Sequence, residues 1–491
     1  MSVHTRTVLF LFLLAVLAGC AAPAPVADLA TPTPLFEMPE ATPLPVRSPH
    51  DPGALFAYVA QTGDTLPALA GHFNTTVEEI IAANPDLPDQ ITTLPPGYPL
   101  QIPAYYVPLT GSPFHILPDS EFVNGPTAVD FNIEDELLSR PGFLAELADF
   151  AYRRQRDPWD VIDIIAKNYS IHPRLLITLM EYQTQALTKP FPEGEQDVYP
   201  MGVEDPRYDG LFWQLIWAAE RLNDGYYGWR EGTLADFELA DGLLVRPDPW
   251  LNAATAALQY FFAGIYGQDD FDLAVGTEGF IETYLQLWGD PYERAIDHIP
   301  GSLQQPEMML PFAAGSVWDF TAGPHYAWGT SLPWGALDFA PPSEESGCVL
   351  SNEWVTAPAA GVIARSGEAT VVLDLDGDGD ERTGWVVFMF HIEERNRIAQ
   401  GTVVELGDQL GHPSCEGGRS TGTHVHIARR YNGEWLPSTG PLGFVLSGYV
   451  AGGGEVVYEG TLSRESRVVR ASTVATAESR ISYGGPSGMD F

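Results

Sequence analysis

The chain has 491 residues and carries 65 acidic against 25 basic side chains, a formal charge of −40. That balance argues against nucleic acid as a partner, because phosphate binding needs clustered Lys and Arg, and it disfavours anionic lipid and polyanionic wall polymers. With 45% hydrophobic residues the chain can still bury sizeable cores, and its length predicts two to four domains.

The chain opens with a segment that reads as an export signal: His4 and Arg6, an apolar run from Val8 to Ala18, then Leu17-Ala18-Gly19-Cys20. The run is too short to stay in a bilayer as a permanent span. The site resembles a bacterial lipoprotein lipobox, which implies cleavage before Cys20 and lipidation of its thiol. Residues 1–20 are thus expected to be a lipoprotein signal peptide, with the protein extracytoplasmic in the cell envelope and touching the membrane only through the lipid anchor. Residues 21–54 follow as a Pro-rich linker, with nine prolines between Ala21 and Pro52.

Tyr58-Val-Ala-Gln-Thr-Gly-Asp-Thr-Leu66 leads into two short helical patterns, the second with a capping box at Thr76-Val-Glu-Glu79. Asn84-Pro85 stops it, and Tyr98-Pro-Leu-Gln-Ile102 reads as a closing strand. Through Tyr58 to Leu66, Phe73-x-x-Thr-Val-x-Glu-Ile80 and Ala-Asn-Pro85, residues 55–104 resemble a LysM module. The resemblance implies a βααβ fold that binds N-acetylglucosamine-containing glycan. Residues 105–128 read as a linker.

From 129 to 304 the periodicity is helical: Leu137, Leu138, Phe143, Leu144, Leu147 and Phe150 recur at three- and four-residue spacing, and 211–219 and 251–262 repeat the pattern. The string from Ala166 to Met180 resembles the start of a lysozyme-like transglycosylase domain. That family places a catalytic Glu-Ser pair where this chain has Gln183-Thr184, and an amide cannot protonate a glycosidic oxygen. Glu181 sits about 200° around the helix from Gln183 and is a poor substitute. An all-α lysozyme-like domain without glycosidase chemistry is expected.

Beyond residue 305 short β-type runs alternate with Gly, Pro and Asp. Ala369–Leu373, Gly384–Ile392 and His424–Arg429 read as strands, with Asn432-Gly433 as a hairpin turn. Five of the eleven histidines fall between His325 and His426. In Thr-His424-Val-His426 the two imidazoles face one side of a strand. His325, Asp338 and His426 form a ligand set of the kind zinc hydrolases use, leaving a position for water, while His391 and His424 remain to move protons and stabilise an oxyanion. His412 reads as a loop residue.

These residues carry a further resemblance. Residues 305–450 resemble the lysostaphin, LytM and β-lytic family of zinc metallopeptidases, with His325, Asp338 and His426 at the ligand positions, His391 at its first catalytic histidine and His424 at its catalytic base. The resemblance implies one Zn2+ per catalytic domain and cleavage of peptide bonds in peptidoglycan stems or cross-bridges. Cys348 and Cys415, the two cysteines besides Cys20, are expected to form a disulfide in an exported chain. Asp374, Asp376, Asp378 and Asp380 begin like a calcium loop, but Trp385 occupies the twelfth position where such loops carry glutamate; a Ca2+-binding hairpin tip and a solvated turn both remain open. Residues 451–491 read as a C-terminal hairpin and tail without chemistry.

The expected architecture is multidomain α+β: a small βααβ LysM module, an all-α lysozyme-like domain and a mainly antiparallel β metallopeptidase domain. The expected function is a cell-wall endopeptidase localised on peptidoglycan by LysM binding. A non-enzymatic peptidoglycan-binding scaffold or regulator, and a glycan-cleaving activity of the helical domain, are the alternatives.

Overall fold

The computed structural model describes residues 50–88, 90–105 and 112–484; the expected signal peptide, Cys20 and the expected Pro-rich linker up to residue 49 lie outside the described residues. Strand Ala54–Val59 pairs antiparallel with Pro99–Ala104, and helices Leu66–Phe73 and Val77–Ala83 close over its inner face. Thr65 and Thr76 cap these helices by accepting from Ala68 N and Glu79 N. The Glu79 carboxylate also takes the Thr75 hydroxyl at 2.7 Å.

This βααβ unit is packed onto the helical region. Trp250 sets its ring edge-on to Phe56 and Phe73 with centroids 5.6 and 4.7 Å away, and His72 stacks on Trp229 at 3.7 Å. Thr62, Thr92 and Thr93 bond the backbone carbonyls of Ile299, Leu303 and Pro300.

The helical region contains helices Ile133–Leu138, Pro158–Tyr169, Pro173–Thr184, Leu211–Arg230, Ala253–Ala263, Gln268–Ala274 and Phe280–Trp288. Three expectations change here. The run from Leu137 to Phe150 is not one helix, because Pro141 and Gly142 break it, and Phe150 lies exposed in a hairpin, Asp149–Ala151 with Arg154–Arg156. That hairpin and a second, Phe237–Glu238 with Leu244–Val245, make the region mainly rather than wholly helical. The stretch before 129 is no linker from 112 on, since Ile116, Leu117, Phe122 and Val123 are fully buried in the helical core.

Glu181 is buried and accepts from Leu187 N at 2.7 Å and from the Thr188 amide and hydroxyl, so it ties down a turn. Gln183 accepts from the Tyr266 phenol at 2.6 Å. Neither position offers a general acid.

A nine-stranded antiparallel sheet follows. Its main path runs Val403–Val404, Gly361–Gly367, Thr370–Asp374, Trp385–Phe390, Val425–Tyr431, Ala336–Ala340, Trp318–His325 and Arg480–Ile481, with Glu434–Trp435 pairing Val425–Tyr431 across the Asn432-Gly433 turn. One face, with Val371, Leu373, Val387, Met389 and Ile427, joins a core that includes Leu446, Tyr449, Leu462 and Val469. Val372, Phe388, Ala428 and Trp435 on the other face are continuous with the helical core. The helical region therefore covers part of the sheet face that bears the candidate ligands. Residues 445–470 form a four-stranded sheet, and Arg480–Ile481 pairs with Trp318–His325, so the stretch as far as Ile481 is built into the fold. Among the described residues no helix is long and apolar enough to cross a membrane.

Candidate metal centre and groove

Register explains how distant residues meet. Asp338 sits directly across from His426, which places both side chains on one face. His325 reaches that face through an irregularity: Ala322 pairs with Asp338 but His325 with Ala336, so one extra residue is accommodated around Gly323-Pro324. Without this bulge strict alternation would turn His325 to the opposite face.

His325 Nε2 lies 3.0 Å from His426 Nδ1 and 3.2 Å from Asp338 Oδ1, and His426 Nδ1 lies 3.4 Å from the same oxygen. The other nitrogens of both rings are committed. His325 Nδ1 donates to Gly323 O at 2.9 Å and His426 Nε2 to Ala327 O at 3.0 Å, because a carbonyl oxygen can only accept. In their neutral forms both rings therefore present lone pairs to one point. Asp338 Oδ1 faces the same point, buried and without a hydrogen-bond donor. Three acceptors this close repel one another unless a cation lies among them, and two imidazoles with a carboxylate are a fitting set for zinc. Burial alone would push the Asp338 carboxyl up; in the metal-free form the positive charge that His325 and His424 carry when protonated outweighs it and holds it well below the ordinary carboxylate range.

His391 follows the strand Trp385–Phe390 at φ 64°, a left-handed conformation that costs a non-glycine residue about 1–2 kcal/mol. Strand alternation would send position 391 into the opposite core, and this turn brings it to the ligand face instead. Its ring centroid lies 4.5 Å from that of His424. His391 Nδ1 donates to Glu416 O at 2.7 Å, and His424 Nδ1 to Gly422 O at 2.8 Å, so each ring keeps a lone pair on Nε2. His424 Nε2 stands 3.4 Å from Asp338 Oδ2. Burial, reinforced by His424, pushes the His391 imidazole down to about 3, leaving it neutral at pH 7.

All five residues line a groove of about 1500 Å3. One wall includes Tyr458, from the C-terminal stretch in which the sequence shows no chemistry. It takes φ 75°, bonds its backbone to Gly323 N and Pro324 O, and sets its ring 4.9 Å from His325. Trp328 packs 4.9 Å from Phe390 on another side, while Tyr152, Tyr169 and Ile216 of the helical region close the groove at one margin. No local pattern marks Tyr458 or Trp328 in the sequence, since the fold alone brings them here.

Cys348 and Cys415 are bonded, with Cα atoms 5.8 Å apart, and fasten the loop whose Glu416 carbonyl holds His391. His412 bonds Glu353 O at 2.8 Å and packs on Trp354, away from the metal set. The acidic loop brings Asp374, Asp376 and Asp378 within 4.8 Å of one another. Asp380 is not grouped with them, and Arg382 binds both its oxygens at 2.7 and 2.6 Å. Asp374 is buried under the loop and accepts from the amides of Asp376, Gly377 and Gly379, so the turn is organised by hydrogen bonds.

Fold and site together define a metallopeptidase-type centre on an antiparallel sheet. Comparison with known proteins agrees in sequence. Residues 58–103 match the LysM domain model and residues 115–302 the model described as LasA, N-terminal domain. Protease LasA of Pseudomonas aeruginosa, in strains UCBPP-PA14 and PAO1, is 25% identical over 364 residues, spanning 70% of this chain and 78% of the relative. Among solved structures, the M23 metalloprotease pseudoalterin is 25% identical, covering 34% of this chain and 96% of its own with a TM-score of 0.29. The catalytic domain of lysostaphin from Staphylococcus simulans is 20% identical, covering 26% of this chain and 95% of its own with a TM-score of 0.19. The chain is thus similar to protease LasA over most of its length and carries regions that match a LysM domain and the LasA N-terminal domain.

Proposed function

We propose that this protein is an exported, lipid-anchored zinc endopeptidase that cuts peptide bonds in the stems or cross-bridges of peptidoglycan. The observation that carries the reading is the convergence of His325, Asp338 and His426 on one point, with His391 and His424 beside it. His325, Asp338 and His426 would hold Zn2+, which would supply a Lewis acid to polarise the scissile carbonyl and acidify water. The chain's own groups do the rest. His391 and His424 offer Nε2 lone pairs as proton acceptors for the attacking water, and the ring that takes the proton becomes a donor to the oxyanion and then to the leaving amine. Their Nδ1 bonds to Glu416 O and Gly422 O fix both tautomers. The hydrophobic margins formed by Trp328, Phe390 and Tyr458 limit solvent access to the reacting carbonyl.

Peptidoglycan is supported as the substrate by the LysM domain, a glycan-binding module, and by the relationship to protease LasA. Export and lipidation rest on the sequence ending in Cys20. Metal analysis and digestion of purified peptidoglycan by wild type, His426→Ala and His391→Ala test the proposal. Wild type should release free amines in a chelator-sensitive way, His426→Ala should lose metal and activity, and His391→Ala should keep metal and lose turnover. New reducing or anhydro ends in place of amines would move the activity to the helical region, and release of neither would leave a binding scaffold.

A further inference from the structure

The loop that follows His325 is clamped by the long helix Leu211–Arg230. Glu220 Oε1 accepts from Thr330 N at 3.0 Å, from the Thr330 hydroxyl at 2.9 Å and from the Tyr169 phenol at 3.4 Å. One turn further on, Asp224 Oδ1 accepts from Leu332 N at 2.9 Å. Residues four apart share a helix face, so the two carboxylates form one clamp. Gly329 permits the approach: it takes φ 65°, and a Cβ there would stand 2.8 Å from the Tyr169 phenol oxygen and 3.0 Å from Glu220 Oε1.

The clamped loop closes on Ala327, whose N–H donates to Pro333 O at 3.0 Å. The carbonyl of that same Ala327 accepts from His426 Nε2 and aims the opposite nitrogen at Asp338 and His325. The two imidazoles are thus oriented by different means. His325 leans on Gly323 O within its own strand, whereas His426 leans on a loop that the helical region holds in place.

We propose that Glu220 and Asp224 are positioning residues for the metal centre, acting through the 327–333 loop to orient His426, so that the helical region is a working part of the site. The inference rests on the metallopeptidase reading above. Outer partners of ligating histidines typically contribute 10–100-fold to metal affinity, and a partner acting one step further out falls at the lower end.

The test is Zn2+ affinity of the full-length protein, measured by competition with a chromophoric chelator, alongside thermal unfolding of the metal-free forms. Glu220→Ala and Asp224→Ala should each weaken Zn2+ binding about tenfold. Glu220→Gln and Asp224→Asn should stay close to wild type, because each keeps a carbonyl oxygen for the same donors. Glu282→Ala, on another helix, should change nothing. Should Glu220→Ala fail to fold, Gly329→Val pushes the loop off the helix from the other side and should reproduce the loss. Folded alanine variants with wild-type affinity, or amide variants that fall as far as the alanines, overturn the inference. Wild type that binds no Zn2+ overturns the metal-centre reading and this inference with it, an outcome distinct from wild type that binds and variants that bind equally.

Discussion

Glu381 joins the peptidase sheet to the helical region, and replacing it by glutamine should be among the most damaging single changes outside the groove. Its carboxylate meets Arg365 Nε at 2.8 Å and Nη2 at 3.0 Å, and Arg430 Nη2 at 2.5 Å. The same guanidiniums bond Asn168 Oδ1 and Lys167 O across the interface. Arg430 is fully buried, so removing the carboxylate leaves two like charges facing each other away from water. Burial alone would raise the Glu381 carboxyl; Arg365 and Arg430 outweigh it and bring it from 4.5 down to about 2. At 1.36 kcal/mol per unit, that depression corresponds to about 3 kcal/mol favouring the folded, ionised form. A depressed acid contributes fully above its unfolded value and loses that contribution as pH falls toward its folded one. The window therefore runs from about pH 4.5 down to about pH 2, and linkage places about 2 kcal/mol of the loss already at pH 3. Urea unfolding of wild type and Glu381→Gln at pH 6 and pH 3 measures both quantities. A gap of about 3 kcal/mol at pH 6 that shrinks at pH 3 is expected. A variant within about 1 kcal/mol of wild type at pH 6, or a gap that does not change with pH, would refute the reasoning.

Three further outcomes follow from particular contacts. Chelation of the metal should lower the unfolding temperature, because Zn2+ at a hundredfold excess over its Kd stabilises the folded state by about 2.7 kcal/mol; a melt indifferent to Zn2+ and chelator would count against the site. Replacing Cys348 and Cys415 by serine opens a bridge with a sequence separation of 67 residues and should cost about 4 kcal/mol. Since Glu416 O orients His391, turnover should fall while Zn2+ content holds, as metal analysis beside a peptidoglycan assay would reveal. Trp250→Ala removes the ring wedged against Phe56 and Phe73 and should cost about 3 kcal/mol, with amide exchange of strand Ala54–Val59 rising first; unchanged protection there would contradict the docking role.

The parts of this protein that follow local rules are legible from residue order. The alternation of His424 and His426, the apolar strand around Asp338, the caps at Thr65 and Thr76 and the Asn432-Gly433 turn each depend on a few adjacent residues. What escapes is what breaks a local rule or depends on distance. His325 needs a bulge and His391 a left-handed backbone before either reaches the ligand face, and neither is encoded by a periodicity of two. Glu381 stands in an acidic string that suggests a calcium loop or a solvated turn, yet it is buried because two arginines from separate strands, Arg365 and Arg430, come to meet it. The segment 112–128 lacks the spacing of a helix or strand, and only the helical core shows why Phe122 and Val123 are there.

The same long-range bonding changes how the glycan module must be thought of. Arg230, on the long helix, donates to the Thr62 carbonyl of the LysM domain and pairs with Asp119 at 3.1 Å and Glu434 at 3.0 Å, so one buried guanidinium touches all three parts of the chain. Glu434 also receives bonds from Tyr226 at 2.8 Å and His298 at 2.7 Å; burial alone would raise its carboxyl, but Arg230 above all, with these partners, brings it down to about 2. A LysM domain on a slack linker would raise the local concentration of substrate by an amount set by linker length. Here the linkage is a packed interface, and the geometry between glycan module and groove is set by the fold. The interface around Arg230 thus fixes where the LysM domain stands relative to the groove as well as stabilising the chain.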